Sequence, residues 1–302
     1  MDSPDSPWLE GMQSTTALGP GALGAFSFNR EYLNWLKENA GRFDILIAHG
    51  LWDFVSLAAI LAAAQKSVPV FVFVHGMLDP WFNEAYPLKR LKKQIYWFFL
   101  QAPVLARARA VLFNSEQEML RARNVFLPYK FRELLVPYGV LPCKLEKERA
   151  IQVFFEKFSA LKGKNYFLFF GRVTAKKGLE LLLKSFANLR PEGYEIVIAG
   201  PRDSSYAESL NALAAELGIE EHLHWTGMLS DQLKWGALSA ADLFVLTSKQ
   251  ENFARAMAES LAVGTPVLIS EQVNTWSIIN KYNAGLLCQA EQESTQKALQ
   301  QW

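Results

Sequence analysis

Short apolar runs alternate with longer helical segments along most of this chain. The runs are rich in β-branched and aromatic residues and contain few charges, and the clearest contain none, as in VPVFVFV at residues 68–74 and YFLFF at residues 166–170. Because a strand that is apolar on both faces must be covered from both sides, such runs are typical of parallel sheets flanked by helices. The sequence therefore predicts an α/β fold assembled from βαβ units.

Two series of these units are separated by a polar segment near residues 140–164. In the first series, strands are predicted at 43–49, 68–74, 110–113 and 134–137, and helices at 54–64, 87–108 and 115–123. In the second series, strands are predicted at 166–170, 195–199, 222–225, 243–247 and 267–270, and helices at 150–160, 178–189, 205–217, 231–238 and 254–262. We expect two doubly wound, Rossmann-like domains, residues 1–145 and 146–302, with the ligand crevice where the carboxyl ends of their strands meet.

Composition and charge exclude several classes of function. The net charge is +1 and no long block of like charge occurs, so a nucleic-acid partner is not expected. Cys143 and Cys288 lie far apart, outside the spacing of a zinc site or a disulfide framework. The longest charge-free apolar stretch, residues 54–64, is shorter than the roughly 20 residues that span a bilayer. We expect a cytoplasmic protein without a metal site, with attachment to the inner face of a membrane as the alternative.

A glycine pattern near the N-terminus imitates a dinucleotide site. Gly19, Gly21 and Gly24 match the fingerprint G-x-G-x-x-G, and Asp44 follows at the distance expected of a ribose-binding acid. The fingerprint requires a strand, a turn and a helix, so that a pyrophosphate meets the helix N-terminus. Here the preceding segment GMQSTTAL is polar, and Asp44 begins a predicted strand. We therefore predict a flexible loop over residues 1–28 and not a dehydrogenase.

The densest group of candidate site residues lies between a predicted strand and the helix 254–262. A helix N-terminus offers unpaired N–H groups and a partial positive charge, which suit a phosphate. Glu251 stands before this helix and Glu259 lies eight positions later, about 80° further around the axis. Both carboxylates can therefore reach one elongated ligand and accept hydrogen bonds from its hydroxyls. An arbitrary pair of helix glutamates is usually solvated, but the residues around this pair favour a site.

The run ENFARAMAESLAVGTPV resembles the E-x₇-E signature of retaining glycosyltransferases with two Rossmann-like domains, the group 1 or family 4 enzymes. The resemblance implies the GT-B fold, in which the two domains face across a cleft. It implies transfer from a UDP-, GDP- or ADP-sugar with retention, without a metal or a further cofactor. In such an enzyme Glu251 positions the donor sugar and Glu259 the ribose. Asn252, Phe253 and Ala254 lie against the donor.

A second segment, FFGRVTAKKGLE, resembles the family's strand, Gly-Arg loop and Lys-Gly helix start. By position, Arg172 and Lys177 hold the donor's diphosphate beside Gly171, with Lys176 as the alternative to Lys177. Two fixed cations stabilise the charge that gathers on a departing nucleoside diphosphate. The family's backbone holds the nucleobase at a position that corresponds here to Gly227, Met228 and Leu229.

In the first series, the segments AHGLW and VHGMLDPWF resemble the N-terminal domain of a subset of the same family. Many of those enzymes build bacterial surface polysaccharides. The resemblance implies that His75 contacts the donor sugar from the opposite domain, and His49 is the weaker candidate. A lone histidine is more often structural than functional. The partners implied are a nucleotide-sugar donor and a saccharide or lipid-linked acceptor.

One predicted helix combines basic and aromatic residues, which leaves contact with a membrane surface open. Its basic residues are Lys89, Arg90, Lys92 and Lys93, and its aromatic residues are Trp97, Phe98 and Phe99. A basic amphipathic helix can bind a membrane surface. The interpretation favoured by the sequence alone is a solvated basic face opposite a packed aromatic face, although a lipid-linked acceptor would favour the membrane.

The chain also departs from the family's pattern. Members begin with an apolar strand and a Gly-Gly loop and usually continue beyond the segment that matches residues 285–302, and neither extension is present in this sequence. Ala254 stands where glycine is common. These departures leave open a catalytically impaired relative that still binds a nucleotide or a partner chain. A sugar-nucleotide epimerase with two Rossmann-like domains is the remaining alternative.

Overall fold

Parallel β-sheets form in both halves of the chain, which confirms the predicted α/β class. The computed structural model describes residues 15–81, 87–141, 143 and 146–302. Two units divide between Pro137 and Tyr138, and each has its own sheet and its own hydrophobic core. Among the described helices, none is long and apolar enough to cross a membrane.

The sheet of unit 1 has four parallel strands in the order β1-β2-β3-β4. The strands are β1 (Leu46–His49), β2 (Val70–Phe73), β3 (Ala110–Phe113) and β4 (Glu133–Leu135). The helices are α1 (Arg30–Asn39), α2 (Phe54–Ala64), α3 (Pro87–Tyr96), α4 (Ala102–Leu105) and α5 (Glu116–Ala122). β3 is buried along its whole length, as its uninterrupted apolar sequence predicts.

Helix α1 was not predicted from the sequence, because Leu36 is its single fully buried residue. Asn29 begins it: the side-chain oxygen accepts a hydrogen bond from the amide of Tyr32 at 2.8 Å, as N-cap residues do. The side-chain amide of Asn29 donates to the carbonyl of Leu18 at 2.9 Å. In residues 15–28, the described part of the segment before it, a bridge joins Ala22 and Phe28 and no strand precedes Gly19. Residues 1–14 of the predicted loop lie outside the described residues.

The helix predicted at 87–108 is interrupted. After α3 the backbone winds as a wider π-helix over Trp97–Gln101 before α4 begins. Pro103 lies in the first turn of α4, where it has no amide to donate to the preceding turn. Trp97 is fully buried, but Phe98 and Phe99 are exposed, so the prediction of a packed aromatic face is right for Trp97 and wrong for the two phenylalanines.

The sheet of unit 2 has six parallel strands in the order β10-β9-β8-β5-β6-β7. The strands are β5 (Asn165–Phe170), β6 (Tyr194–Ala199), β7 (Leu223–Trp225), β8 (Leu243–Leu246), β9 (Val267–Ser270) and β10 (Gly285–Cys288). The helices are α6 (Lys147–Lys157), α7 (Leu179–Leu189), α8 (Ser205–Glu216), α9 (Asp231–Ala240), α10 (Arg255–Ala262), α11 (Trp276–Tyr282) and α12 (Gln292–Gln301). This is the doubly wound Rossmann order, in which the chain reverses direction across the sheet between β5 and β8.

The last three elements, α11, β10 and α12, lie beyond the predicted ones. β10 is a four-residue strand, and its three residues before Cys288 are only partly buried. A run of this length does not distinguish a strand from a loop or a helix end by its pattern alone. Its pairing with β9, from Gly285 against Val267 onward, is what defines it.

Helices α6 and α9 approach each other closely at Gly236. A Cβ atom at this position would lie 2.2 Å from the carbonyl oxygen of Ala150 and 2.6 Å from the Cβ of Phe154. The hydroxyl of Tyr166 donates to the carbonyl of Ala237 at 2.7 Å, which ties the same stretch of α9 to the sheet. Glycine is therefore required at 236 by the space available and not by its backbone angles.

We predict that Gly236→Ala lowers the free energy of unfolding of unit 2 by about 1–3 kcal/mol, because a methyl group must be forced between two packed helices. Gly139→Ala is the matched control, since no atom lies within 4 Å of the Cβ it would add. Urea unfolding monitored by tryptophan fluorescence measures both changes. Equal stability of the two variants would show that α6 and α9 separate at little cost.

Candidate functional site

The loops that follow β5 and β8 are joined at the point where the strand order of unit 2 reverses. The hydroxyl of Thr247 donates to the carbonyl of Gly178 at 2.8 Å, and the amide of Lys249 donates to the carbonyl of Lys176 at 2.8 Å. Gly178 has a positive φ of 66°, and a Cβ there would lie 2.2 Å from the carbonyl oxygen of Thr247. Glycine is therefore needed at 178 for two independent reasons. Ligands of doubly wound sheets bind at this point of reversal.

Lys177 and Glu251, predicted from separate motifs, form an ion pair across this junction. The Lys177 ammonium donates to the carboxylate of Glu251, and the two side chains are 16% and 21% exposed. The backbone of Glu251 is fixed as well: its amide donates to Gln272, and its carbonyl accepts from Asn274 at 2.9 Å. The ammonium of Lys177 and the carboxylate of Glu251 thus lie together at the edge of the sheet, where both are partly accessible to a ligand.

Arg172 follows β5 directly and is exposed. None of the described residues forms an ion pair with it, so its guanidinium can meet an anionic ligand. The residue before it, Gly171, packs closely against the loop after β6. A Cβ at Gly200 in that loop would lie 2.2 Å from the carbonyl oxygen of Gly171. The amide of Gly171 donates to Ala199 at 2.9 Å, which fixes the start of the loop.

The first turn of α10 is not capped by a side chain. Ala254 occupies the N-cap position with φ 56° and ψ 65°, in the left-handed region. A residue with a Cβ pays about 1–2 kcal/mol for that conformation, which explains why glycine suits this position. Just before it, Phe253 accepts a bond from Thr275 at 3.3 Å, and Asn252 lies within 3.4 Å of the Asn274 amide. The Met257 amide donates to the carbonyl of Ala254 at 2.9 Å. With no side-chain cap, the amides of Arg255 and Ala256 are the ones of the first turn that can meet a phosphate.

Glu259 is buried on α10 and is paired with a lysine that the sequence did not suggest. Lys234, on α9, donates to its carboxylate at 2.9 Å, and Arg255 lies at 3.6 Å. Lys234 also lies 4.3 Å from the centre of the Trp235 ring. No motif marks Lys234, because its partner lies 25 residues away on another helix. A ribose hydroxyl at Glu259 would thus meet a carboxylate that is already held in place.

A second unpredicted network braces the same junction. Lys249 donates to Glu180 at 2.6 Å, and the hydroxyl of Tyr206 donates to the other oxygen of that carboxylate. Burial favours a higher pKa for Glu180, but these two hydrogen bonds outweigh it and the pKa is lowered. The network fixes the loop after β8 to the first turn of α7.

Gly227, Met228 and Leu229 follow β7, two strands away from β5. Gly227 has a φ of 70°, Met228 is exposed and Leu229 is buried. They lie at the carboxyl ends of the strands, on the same edge of the sheet as Arg172 and Glu251. Among the described residues, no group of three His, Cys, Asp or Glu side chains is arranged to hold a metal ion.

In unit 1, His49 is the last residue of β1, and His75 lies beside it, two residues after the end of β2. His49 Nδ1 and His75 Nε2 are 2.8 Å apart, so one ring donates a hydrogen bond to the other. His75 has a positive φ of 49°. The buried carboxylate of Glu118 holds this turn by accepting hydrogen bonds from the amides of Gly76 and Asn114. The structure thus pairs the two histidines that the sequence treated separately.

Two family models match the chain. The model described as "Glycosyl transferases group 1" matches residues 151–302, and the "Glycosyl transferase 4-like domain" matches residues 8–139. A curated relative, the alpha-monoglucosyldiacylglycerol synthase of Streptococcus pneumoniae, is 23% identical over 76% of this chain and 53% of its own length. The GDP-mannose:cellobiosyl-diphosphopolyprenol alpha-mannosyltransferase of Komagataeibacter xylinus is 30% identical over 83% of this chain and 59% of its own. The chain thus spans between half and three-fifths of the length of these relatives.

Solved structures show the same fold. Anabaena Alr3699/HepE, solved in complex with UDP and glucose, matches with a TM-score of 0.69 at 16% identity, over 88% of this chain and 70% of its own. WaaG, a glycosyltransferase involved in lipopolysaccharide biosynthesis, matches with a TM-score of 0.67 at 16% identity, over 95% and 76%. These likenesses confirm the predicted fold class, GT-B with Rossmann-like units.

The histidine pair predicts a pH dependence of stability. The pKa of His75 is lowered from its ordinary 6.5, first because burial disfavours the charged ring and second because His49 lies beside it. The unfolded chain therefore takes up this proton at a higher pH than the folded chain. The stability that neutral His75 contributes is complete above about pH 6.5 and is lost as the pH falls towards the lowered pKa.

As the pH falls from about 8 to about 5, we expect the free energy of unfolding to decrease less in His75→Asn than in the parent protein. The variant lacks the imidazole whose pKa is lowered in the folded state. Asparagine is chosen because it tolerates a positive φ. His49→Asn is the matched variant and should keep part of the dependence, since the burial of His75 remains. Urea unfolding at each pH gives the free energies. An identical pH dependence in the parent and His75→Asn would contradict the lowered pKa.

Proposed function

Because the chain belongs to the group 1 glycosyl transferases, we propose that it moves a sugar from a nucleoside-diphosphate sugar to a saccharide or lipid-linked acceptor, with retention at the anomeric carbon. The observation that supports this most directly is the junction after β5 and β8, where Lys177 contacts Glu251. Arg172 starts the same loop as Lys177. Cations suit a diphosphate and a carboxylate suits sugar hydroxyls, so the junction fits both parts of such a donor.

Arg172 and Lys177 would stabilise the departing nucleoside diphosphate, a task that other transferases give to a metal ion. The Lys177 ammonium has three N–H donors, so it can keep its bond to Glu251 and still donate to a phosphate oxygen. Glu251 would then position the sugar, and Glu259 the ribose. With no side-chain nucleophile assigned, the leaving phosphate is the base that receives the proton of the acceptor hydroxyl. This is a front-face course, which gives retention without a covalent glycosyl-enzyme intermediate.

The activities of the relatives favour particular donors and acceptors for this chain. One is a GDP-mannose-dependent enzyme that acts on a diphosphopolyprenol-linked saccharide, and another makes a glucosyl diacylglycerol. HepE was solved with UDP and glucose. We therefore propose a UDP- or GDP-sugar before an ADP-sugar, and a role in bacterial surface polysaccharide or glycolipid synthesis. A lipid-linked acceptor would bring the protein to the cytoplasmic face of a membrane. For His75, whose neutral ring can hydrogen-bond a hydroxyl, we propose a contact with the donor sugar.

Calorimetric titration with UDP, GDP, ADP and their sugar conjugates tests the donor site. We predict that Arg172→Ala weakens binding of the preferred nucleotide by about ten- to a hundredfold, as expected for losing charge-assisted hydrogen bonds. Arg149→Ala is the control, because Arg149 is exposed on α6 and bonds only to Gln152 among the described residues. Failure of the folded parent chain to bind any nucleotide would overturn the donor site.

The variant Glu251→Ala distinguishes contacts with the donor's sugar from contacts with its nucleotide. We predict that it weakens binding of the nucleotide-sugar by about tenfold but not binding of the free nucleotide, because it removes a sugar contact and leaves Lys177 for the phosphates. Equal losses for both ligands would contradict the assignment of Glu251 to the sugar. Nucleotide binding without transfer or donor hydrolysis would instead support the impaired relative. The anomeric configuration of a product, read by NMR, decides retention.

A further inference from the structure

Helix α3 and the π-turn after it carry an exposed apolar stripe. The side chains are between 54% and 91% exposed and recur at intervals of three and four residues: Leu88, Leu91, Ile95, Phe98 and Phe99. At about 100° per residue Leu88, Leu91 and Ile95 share one face of α3, and Phe98 and Phe99 follow Ile95 by three and four residues on the π-turn. Single exposed apolar residues are ordinary, but five at such intervals form a contiguous apolar patch whose exposure to water is unfavourable.

The opposite face of the same helix is fastened to unit 1. Trp97 is fully buried, and its indole N–H donates to the carbonyl of Pro128 at 2.9 Å. Gln94 accepts a hydrogen bond from the amide of Leu127 at 3.3 Å, and the Lys93 ammonium lies 4.7 Å from the centre of the Trp52 ring. The helix cannot turn its apolar stripe inward without breaking these contacts. The stripe is therefore presented outward by the fold.

The charged residues of α3 and of the segment after it, up to Ser115, are all basic. Lys89, Arg90 and Lys92 are exposed on α3, and residues 87–115 contain no Asp or Glu. Lysine is depleted at protein–protein interfaces, whereas a helix with an apolar face and a basic rim is suited to the boundary between lipid headgroups and acyl chains. The apolar stripe gives depth of insertion, and the cations select anionic headgroups.

We propose that α3 and the π-turn at Trp97–Gln101 dock unit 1 on the surface of an anionic lipid bilayer. The helix lies in the plane of the interface, with Leu91, Ile95 and Phe98 towards the acyl chains and Lys89 and Lys92 at the level of the headgroups. This deepens the proposed function and rests on it in one respect, since a lipid-linked acceptor is reached at such a surface. The docking itself requires no catalysis.

Flotation of the full chain with lipid vesicles tests the docking. One vesicle is phosphatidylcholine alone, and the other is equal parts of phosphatidylcholine and phosphatidylglycerol. We expect binding to the anionic vesicle, a fall in binding as salt is raised, and little binding to the neutral one. Phe98→Ser with Phe99→Ser should lower the partition coefficient by about tenfold or more. Lys89→Gln with Lys92→Gln should lower it several-fold.

Matched controls carry the same chemical changes elsewhere. Leu141→Ser with Tyr282→Ser removes two exposed apolar groups, and Lys66→Gln with Lys130→Gln removes two exposed cations. Both controls should bind vesicles like the parent. Circular dichroism confirms that each variant is folded, which is expected because the substituted side chains are exposed.

Three results would overturn the proposal: no binding of the parent chain to anionic vesicles, equal binding of the stripe variants and controls, or a stripe that governs self-association instead of vesicle binding. The last would identify a second copy of the chain as the partner. Nucleotide titration of the same variants keeps this test apart from the donor site, because substitutions on α3 should leave nucleotide affinity unchanged. If vesicle binding fails while nucleotide binding is intact, only the docking proposal is wrong. If nucleotide binding fails while vesicle binding is intact, only the proposed donor site is wrong.

Discussion

The contact between Gly178 and Thr247 determines the geometry of the candidate site. Because residue 178 has no side chain, the loop after β5 can lie against the end of β8, where the Thr247 hydroxyl fixes it at 2.8 Å. That approach brings Lys177 against Glu251. Any larger residue at 178 would push the two loops apart and separate the cation from the carboxylate. The order of the strands places the loops after β5 and β8 side by side, and the absence of a Cβ at Gly178 lets them come into contact.

Much of unit 2 could be predicted because most of its strands contain apolar runs and its motifs stand at strand ends. Arg172, Lys177, Glu251 and Glu259 were found this way, and the predicted strands match the observed ones within two residues. Their roles towards a donor stay predictions. What could not be predicted is how the charges are paired, since Lys234 reaches Glu259 from a helix without a motif. Pairing depends on which helices pack together, and no local pattern records that.

Unit 1 shows the same division between local pattern and packing. The sequence marked His75 by its position after a strand, but its neighbour in space follows from the parallel register of β1 and β2, which sets His49 opposite Phe73. The turn that holds His75 relies on the buried carboxylate of Glu118, which accepts two backbone amides. A buried charge is costly unless it is hydrogen-bonded. Glu118 satisfies that condition, so an apparently ordinary helix glutamate has a structural role.

The three aromatic residues after α3 illustrate why composition alone could not decide between a packed and an exposed face. Trp97, Phe98 and Phe99 are consecutive, so no single face of a helix can hold all three. Trp97 is fixed inward because its N–H reaches the carbonyl of Pro128, whereas phenylalanine has no polar group that a buried acceptor could hold. The burial of Trp97, with the contacts of Gln94 and Lys93 on the same face, therefore sets the rotation of the helix, and the two phenylalanines are turned outward. The exposed stripe is thus a consequence of how the opposite face of the helix packs on unit 1.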